Sequence, residues 1–130
     1  MCNVLDISRE ICEEYGREVE KLGFKLLELI SLSLGLPANQ LKVFFKDQTS
    51  FLRFNYYPPC PSPHLALGVG RHKDGGALSV LAQDDVGGLE VRRKSDGEWI
   101  PVKPIPNAYI INIGDAAQVL FMNFEHSVEI

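Results

Sequence analysis

Ala77-Leu78-Ser79-Val80-Leu81-Ala82-Gln83-Asp84-Asp85-Val86-Gly87-Gly88-Leu89-Glu90-Val91-Arg92-Arg93 decides the fold class. Residues 77–83 and 89–93 are apolar-rich runs too short for helices, and Asp84-Asp85-Val86-Gly87-Gly88 between them is turn chemistry. The pattern continues downstream. Residues 99–102 and 108–113 read as further short strands, set apart by Ser95-Asp96-Gly97-Glu98 and Pro104-Ile105-Pro106-Asn107. Asp96-Gly97 is a hairpin signal, because both residue types tolerate the positive φ of tight hairpin turns. Short strands at roughly 8–12 residue spacing, broken by Gly and Pro, favour an antiparallel sandwich or jelly roll over a βαβ fold.

Upstream, Phe51-Leu52-Arg53-Phe54-Asn55-Tyr56-Tyr57 also reads as a strand, stopped by Pro58, Pro59, Pro61 and Pro63, which remove ladder donors and stiffen the chain. Before it the period is helical. Ile7, Ile11, Tyr15, Val19, Leu22, Leu26, Leu29, Ile30 and Ser33 fall at three- and four-residue steps, predicting one amphipathic helix over residues 5–34. Asp6 is its expected N-cap, and Gly35 followed by Pro37 its stop. Gly16 and Gly23 each cost about 1 kcal/mol inside a helix, which suggests close packing against a sheet there. A second, short helix is expected over 37–45. The expected architecture is mostly β with an N-terminal α-helical arm. Residues 1–50 form the arm and residues 51–130 the β-domain. The two should make one structural unit, since the helix needs a sheet to bury its apolar stripe.

Composition excludes several functions. Of 130 residues, 45% are hydrophobic and 23% charged, as in ordinary globular domains. The net charge is −4, and the densest basic cluster, Arg92-Arg93-Lys94, adjoins Ser95-Asp96-Gly97 at a hairpin end; nucleic acid is not an expected partner. No apolar run approaches the ~18 residues of a membrane span. Charges from Asp6 to Glu20 exclude a secretory apolar segment. Cys2, Cys12 and Cys60 are odd in number and scattered, the usage of reduced thiols in the cytoplasm. No feature calls for an obligate protein partner.

The chemistry-bearing pair is His72-Lys73-Asp74, inside Gly68-Val69-Gly70-Arg71-His72-Lys73-Asp74-Gly75-Gly76. Residues two apart on an extended backbone point to one side. An imidazole and a carboxylate so placed are two thirds of the 2-His-1-carboxylate triad of non-haem Fe(II) oxygenases. On spacing alone, His-x-Asp is also a common surface-loop pattern. The flanking glycines and the apolar run that follows favour a polar pair at the mouth of an apolar barrel.

Arg53-Phe54-Asn55-Tyr56-Tyr57-Pro58-Pro59-Cys60-Pro61, Leu65-Ala66-Leu67-Gly68, His72-Lys73-Asp74, Gly97-Glu98-Trp99-Ile100-Pro101-Val102 and Asn112-Ile113-Gly114-Asp115 together resemble the plant soluble 2-oxoglutarate- and Fe(II)-dependent dioxygenases. The likeness is to the branch that includes flavonol synthase, anthocyanidin synthase and gibberellin oxidases. It covers nearly the whole chain, with the motifs in the family's order. It implies a partial double-stranded β-helix, a distorted jelly roll, packed on the long helix. It also implies that His72 and Asp74 are Fe(II) ligands and catalytic, and that Tyr57 hydrogen-bonds the 2-oxoglutarate carboxylate while Asn55 lines the same wall. A phenol is a good donor to a carboxylate, and Asn55 and Tyr57 would share one strand face. Tyr56 and Trp99 are read as packing residues. The segment 112–115 is read as a strand end leading into a turn.

The chain also departs from the family. Where the second histidine ligand is expected, after Ser127-Val128-Glu129, stands Ile130, which has no donor atom. His126, four residues earlier, is the surrogate candidate and is read as a bystander; His64 is read as a loop residue. The family's later Arg-x-Ser clamp on the far carboxylate of 2-oxoglutarate has no counterpart, and Arg93-Lys94-Ser95 matches it by letters only. The resemblance therefore implies a dioxygenase fragment truncated at its C-terminus. The intact family uses Fe(II), 2-oxoglutarate and O2 to hydroxylate or desaturate a small-molecule substrate, releasing succinate. The alternatives are a catalytically inactive remnant or partial gene model of such an enzyme, and a jelly-roll binding module that works without iron.

Overall fold

The computed structural model describes residues 8–66 and 68–124, with side chains described over 9–66 and 68–120. Asp6, the expected N-cap, thus lies outside the described residues. The chain divides between His72 and Lys73 into two compact units.

In the first unit, α1 runs Ser8–Ser33 and α2 runs Gln40–Phe44. The end of α1 is a Schellman motif. Gly35 sits at φ +71, Leu36 N donates to Ser31 O at 2.9 Å, and Gly35 N donates to Leu32 O at 3.0 Å. These bonds satisfy the last orphan carbonyls, and Pro37 prevents continuation. The buried stripe of α1 keeps Tyr15, Val19, Leu26 and Ile30 of the expected one and extends toward Cys12, Leu27 and Ser31. Cys12, Tyr15, Val19, Leu26, Leu27, Ile30 and Ser31 are covered or half-covered, whereas Ile11 and Leu29 are exposed. The cause is α2, whose Leu41 is fully buried and whose backbone N reaches Ser31 Oγ at 3.3 Å. Ser31 Oγ in turn donates to Leu27 O at 2.9 Å, so one hydroxyl serves both helices. Lys42 Nζ lies 5.6 Å from the Phe24 ring centroid across the same pair. Close packing at Gly16 and Gly23 is not observed: a Cβ at either would meet nothing within 4 Å.

The expected strand over 51–57 does not form. Strand identity requires a partner ladder, and none pairs with this segment among the described residues. Its side chains are exposed, with Phe51 at 87%, Phe54 at 75% and Tyr56 at 85%. Ser50 Oγ still ties the segment's start to α1, donating to Glu20 Oε1 at 3.2 Å.

Among its described residues the second unit holds four strands in two antiparallel pairs. β1 (Leu78–Leu81) pairs with β4 (Ile110–Ile113) in the register Leu78↔Ile113, Ser79↔Asn112, Val80↔Ile111 and Leu81↔Ile110. β2 (Glu90–Arg92) pairs with β3 (Trp99–Pro101). All four strands fall inside the runs expected from the sequence. The β2–β3 hairpin closes where Asp96-Gly97 predicts it. Arg93 N donates to Glu98 O at 2.8 Å, Asp96 Oδ1 accepts from Glu98 N at 3.0 Å, and Arg93 pairs with Asp96 at 2.6 Å.

After β4 the chain enters α3 (Asp115–Phe124) where a turn was expected. Gly114 N donates to Ala77 O at 2.9 Å, and Gln118 N to Gly114 O at 3.0 Å. Asp115 stands in the first turn, where the helix dipole favours a carboxylate. Ala117 and Gly114 are buried at this corner. A Cβ on Gly114 would collide with the Gly76 carbonyl oxygen and lie 2.9 Å from that of Asp74, so only glycine fits. With 51–57 unpaired and 115–124 helical, helix outweighs strand among the described residues, and the expectation of a mostly β chain is corrected.

Candidate metal centre

Asp74 and His72 fall on opposite sides of the division between the units. Asp74 lies in the loop that leads into β1 and is half-buried. Its Oδ2 accepts from Asn112 Nδ2 at 2.7 Å. A carboxylate oxygen only accepts, so the amide nitrogen must face it. Its backbone carbonyl accepts from Asp115 N, also at 2.7 Å. Two bonds, one from the side chain and one from the main chain, therefore fix this residue to the β4–α3 corner. The neighbouring Lys73 Nζ lies 3.5 Å from Asp115 Oδ1, so the residue between the two candidate ligands pairs with the same corner.

On its own side of the division, His72 is exposed, and its Nδ1 lies 2.9 Å from Gly70 O. A carbonyl can only accept, so Nδ1 carries the proton of this bond, and a neutral ring then has its lone pair on Nε2. That is the tautomer of a histidine that ligates through Nε2. Tyr57 is 57% exposed, and its ring edge lies where a Cβ on Gly68 would sit, 2.6 Å from Cε1. Gly68 thus makes room for this ring. Asn55 is exposed on the unpaired 51–57 segment.

The structure therefore brings Asp74 together with Asn112 and Asp115, two residues that the sequence reading places at a strand end leading into a turn. The signal was the Asn-x-Gly-Asp spacing, but a partner 38 positions away is visible only once the β1–β4 register is known. Among the described residues, no three His, Cys, Asp or Glu side chains gather as a metal site. Ile130 and His126 lie outside the described residues.

A sequence model of the 2OG-Fe(II) oxygenase superfamily matches residues 48–129, a stretch that contains every candidate above except Ile130. Gibberellin 20 oxidase 2 of Oryza sativa subsp. indica is 49% identical over 110 residues, covering 85% of this chain and 28% of that protein. Jasmonate-induced oxygenase 1 of Arabidopsis thaliana is 47% identical over 124 residues, covering 93% of this chain and 30% of that protein. A crystal structure of JOX2 in complex with 2OG, Fe and JA is similar with a TM-score of 0.73 at 39% identity, covering 85% of this chain and 33% of that one. The chain spans less than a third of the length of either curated relative.

Proposed function

The chain belongs to the 2OG-Fe(II) oxygenase superfamily, and from that premise we propose that it carries an Fe(II)- and 2-oxoglutarate-dependent dioxygenase centre for a small organic metabolite. The observation that carries this reading is the family match itself, which spans His72 and Asp74. His72 and Asp74 are the iron ligands. An imidazole nitrogen and a carboxylate oxygen are a donor set that suits Fe(II). The reading is supported by the hydrogen bond from Asn112 Nδ2 to Asp74 Oδ2 and by the contact of His72 Nδ1 with Gly70 O. When bound, iron and 2-oxoglutarate supply the oxidising chemistry, in which O2 activation is coupled to decarboxylation of the co-substrate to succinate. The chain's own part is to hold and orient. Tyr57 donates its hydroxyl to a 2-oxoglutarate carboxylate, and Asn55 forms the adjoining wall.

In this reading residues 1–50 are a helical arm and residues 51–130 part of the catalytic β-domain. The β1–β4 and β2–β3 pairs are pieces of a double-stranded β-helix, a view supported by the likeness to the JOX2 structure. The reaction is hydroxylation or desaturation, and relatives named for gibberellin and jasmonate support a plant small molecule as substrate. Cys12 and Cys60 are both free thiols, which supports a cytoplasmic setting. Among the described residues no helix is long and apolar enough to cross a membrane. A second reading, a catalytically inactive remnant of such an enzyme, rests on the resemblance, which implies a histidine at the position where this sequence has Ile130.

The test is anaerobic Fe(II) titration in the presence of 2-oxoglutarate, watching for the visible metal-to-ligand charge-transfer band. The band is expected in the unaltered chain and absent in His72→Ala. Unchanged Fe(II) affinity in His72→Ala would overturn the metal assignment. A band that also vanishes in His126→Ala would make His126 the third donor.

A further inference from the structure

The strongest unassigned arrangement in the molecule is the contact between Asn112 and Asp74. Asn112 sits on β4 opposite Ser79, and its Nδ2 lies 2.7 Å from Asp74 Oδ2. The backbone of the same loop is pinned twice more, by Asp115 N on Asp74 O at 2.7 Å and by Gly114 N on Ala77 O at 2.9 Å. The approach is so close that Gly114 can carry no side chain. The main-chain bonds set where the Asp74 Cα lies. Asn112 acts on the carboxylate itself, holding one of its oxygens through the side-chain amide.

We propose that Asn112 is a positioning residue for the metal: it fixes the plane of the Asp74 carboxylate and turns one oxygen of it toward Fe(II). This rests on the metal reading above. An oxygen engaged by an amide donor is a poorer partner for chelation, so the carboxylate is biased to give the metal one oxygen rather than two. Single-oxygen ligation would leave the metal more room for the co-substrate. Hydrogen bonds that orient first ligands commonly contribute about 10–100-fold in metal affinity. Asn is suited to the place. Its amide donates to an anion without adding charge, and its short side chain reaches from the strand without a flexible stem.

Two measurements on the full chain test this. The first needs no metal: the Asn112 side-chain amide resonances in a 1H–15N spectrum should move when Asp74 is replaced by Ala. Unmoved resonances would overturn the proposal. The second is titration with Co(II), a spectroscopically visible stand-in for Fe(II), followed through its d–d bands. Asn112→Ala should weaken Co(II) binding about 10–100-fold and change the band intensity, with the thermal midpoint of the metal-free chain unchanged. Should Asn112→Ala fail to fold, Asn112→Leu carries the same test, being similar in size and compatible with a strand. Wild-type affinity and spectrum in a folded Asn112 variant, alongside loss of binding in His72→Ala, would overturn the positioning role while keeping the metal site. Equal Co(II) binding by the unaltered chain and His72→Ala would sink the metal site, and this role with it, even where the amide resonances move.

Discussion

Residues 51–57 and β1 carry similar β-forming side chains, but they meet different fates. β1 is matched residue for residue by β4 and is half-buried along its length. Residues 51–57 have no ladder partner among the described residues and are exposed throughout. Propensity is about equal in the two. What separates them is the Gly114 corner, which clamps β4 to the loop ahead of β1 through Ala77 O and Asp74 O. A strand is a property of a pair, and its order is inherited from whatever holds the pair together. The same contrast divides the proposed site. Asp74 sits on the clamped side, and Asn55 and Tyr57 on the unpaired segment.

The sharpest way to break that contrast is Gly114→Ala. The added methyl meets the carbonyl oxygens of Gly76 and Asp74, a main-chain collision that cannot be relieved by a side-chain rotation. A loss on the order of 3 kcal/mol is expected, as for severe overpacking, measured by urea unfolding. Retained stability would show that the β1–β4 pair does not depend on this corner. On the other side, Phe54→Ala should change stability by no more than about 0.5 kcal/mol, as for exposed positions. A loss nearer 3 kcal/mol, in the range of core Phe truncations, would show that the 51–57 segment is packed after all. The smallest effect is a pH dependence at the β2–β3 hairpin. The Asp96 carboxyl is held below its ordinary range by the Glu98 backbone N–H and then by Arg93. Its folded value is depressed, so its contribution is present above the ordinary aspartate range and fades as pH falls through the lower folded value. Amide signals of residues 93–98 should shift in that acidic window and stay flat in Asp96→Asn.

Much of this was legible in the sequence. Gly35 before Pro37 marks the end of α1 because the terminating motif needs a left-handed residue at that place. The four short strands follow from period and turn chemistry, and Asp96-Gly97 from hairpin geometry. Helix α3 was legible in principle. Asp115 suits the first turn of a helix, and Ala116, Ala117, Gln118 and Leu120 are good helix formers. Residues 51–57 depart from the expected strand for a physical reason: alternation reports a surface able to pair, and pairing needs a second chain segment. The Asn112–Asp74 bond was out of reach, since it depends on a register that no local pattern encodes. Of the proposed site, the sequence names His72 and Asp74 as candidates and carries nothing of the bonds around them.

The pairing of Leu78 with Ile113 has a consequence for how this part of the protein tolerates change. Asp74 reaches Asn112 because the count of residues from Asp74 to Leu78 and from Asn112 to Ile113 is right. One residue inserted at Gly75 or Gly76 would carry the carboxylate past its amide partner with every side chain intact. Residues 82–109, by contrast, make a detour that leaves β1 and returns as β4. Their hairpin can lengthen or shorten without moving the clamp, provided the two strands still meet in step. Insertions should therefore be tolerated in the 82–109 excursion and rejected between Asp74 and Leu78.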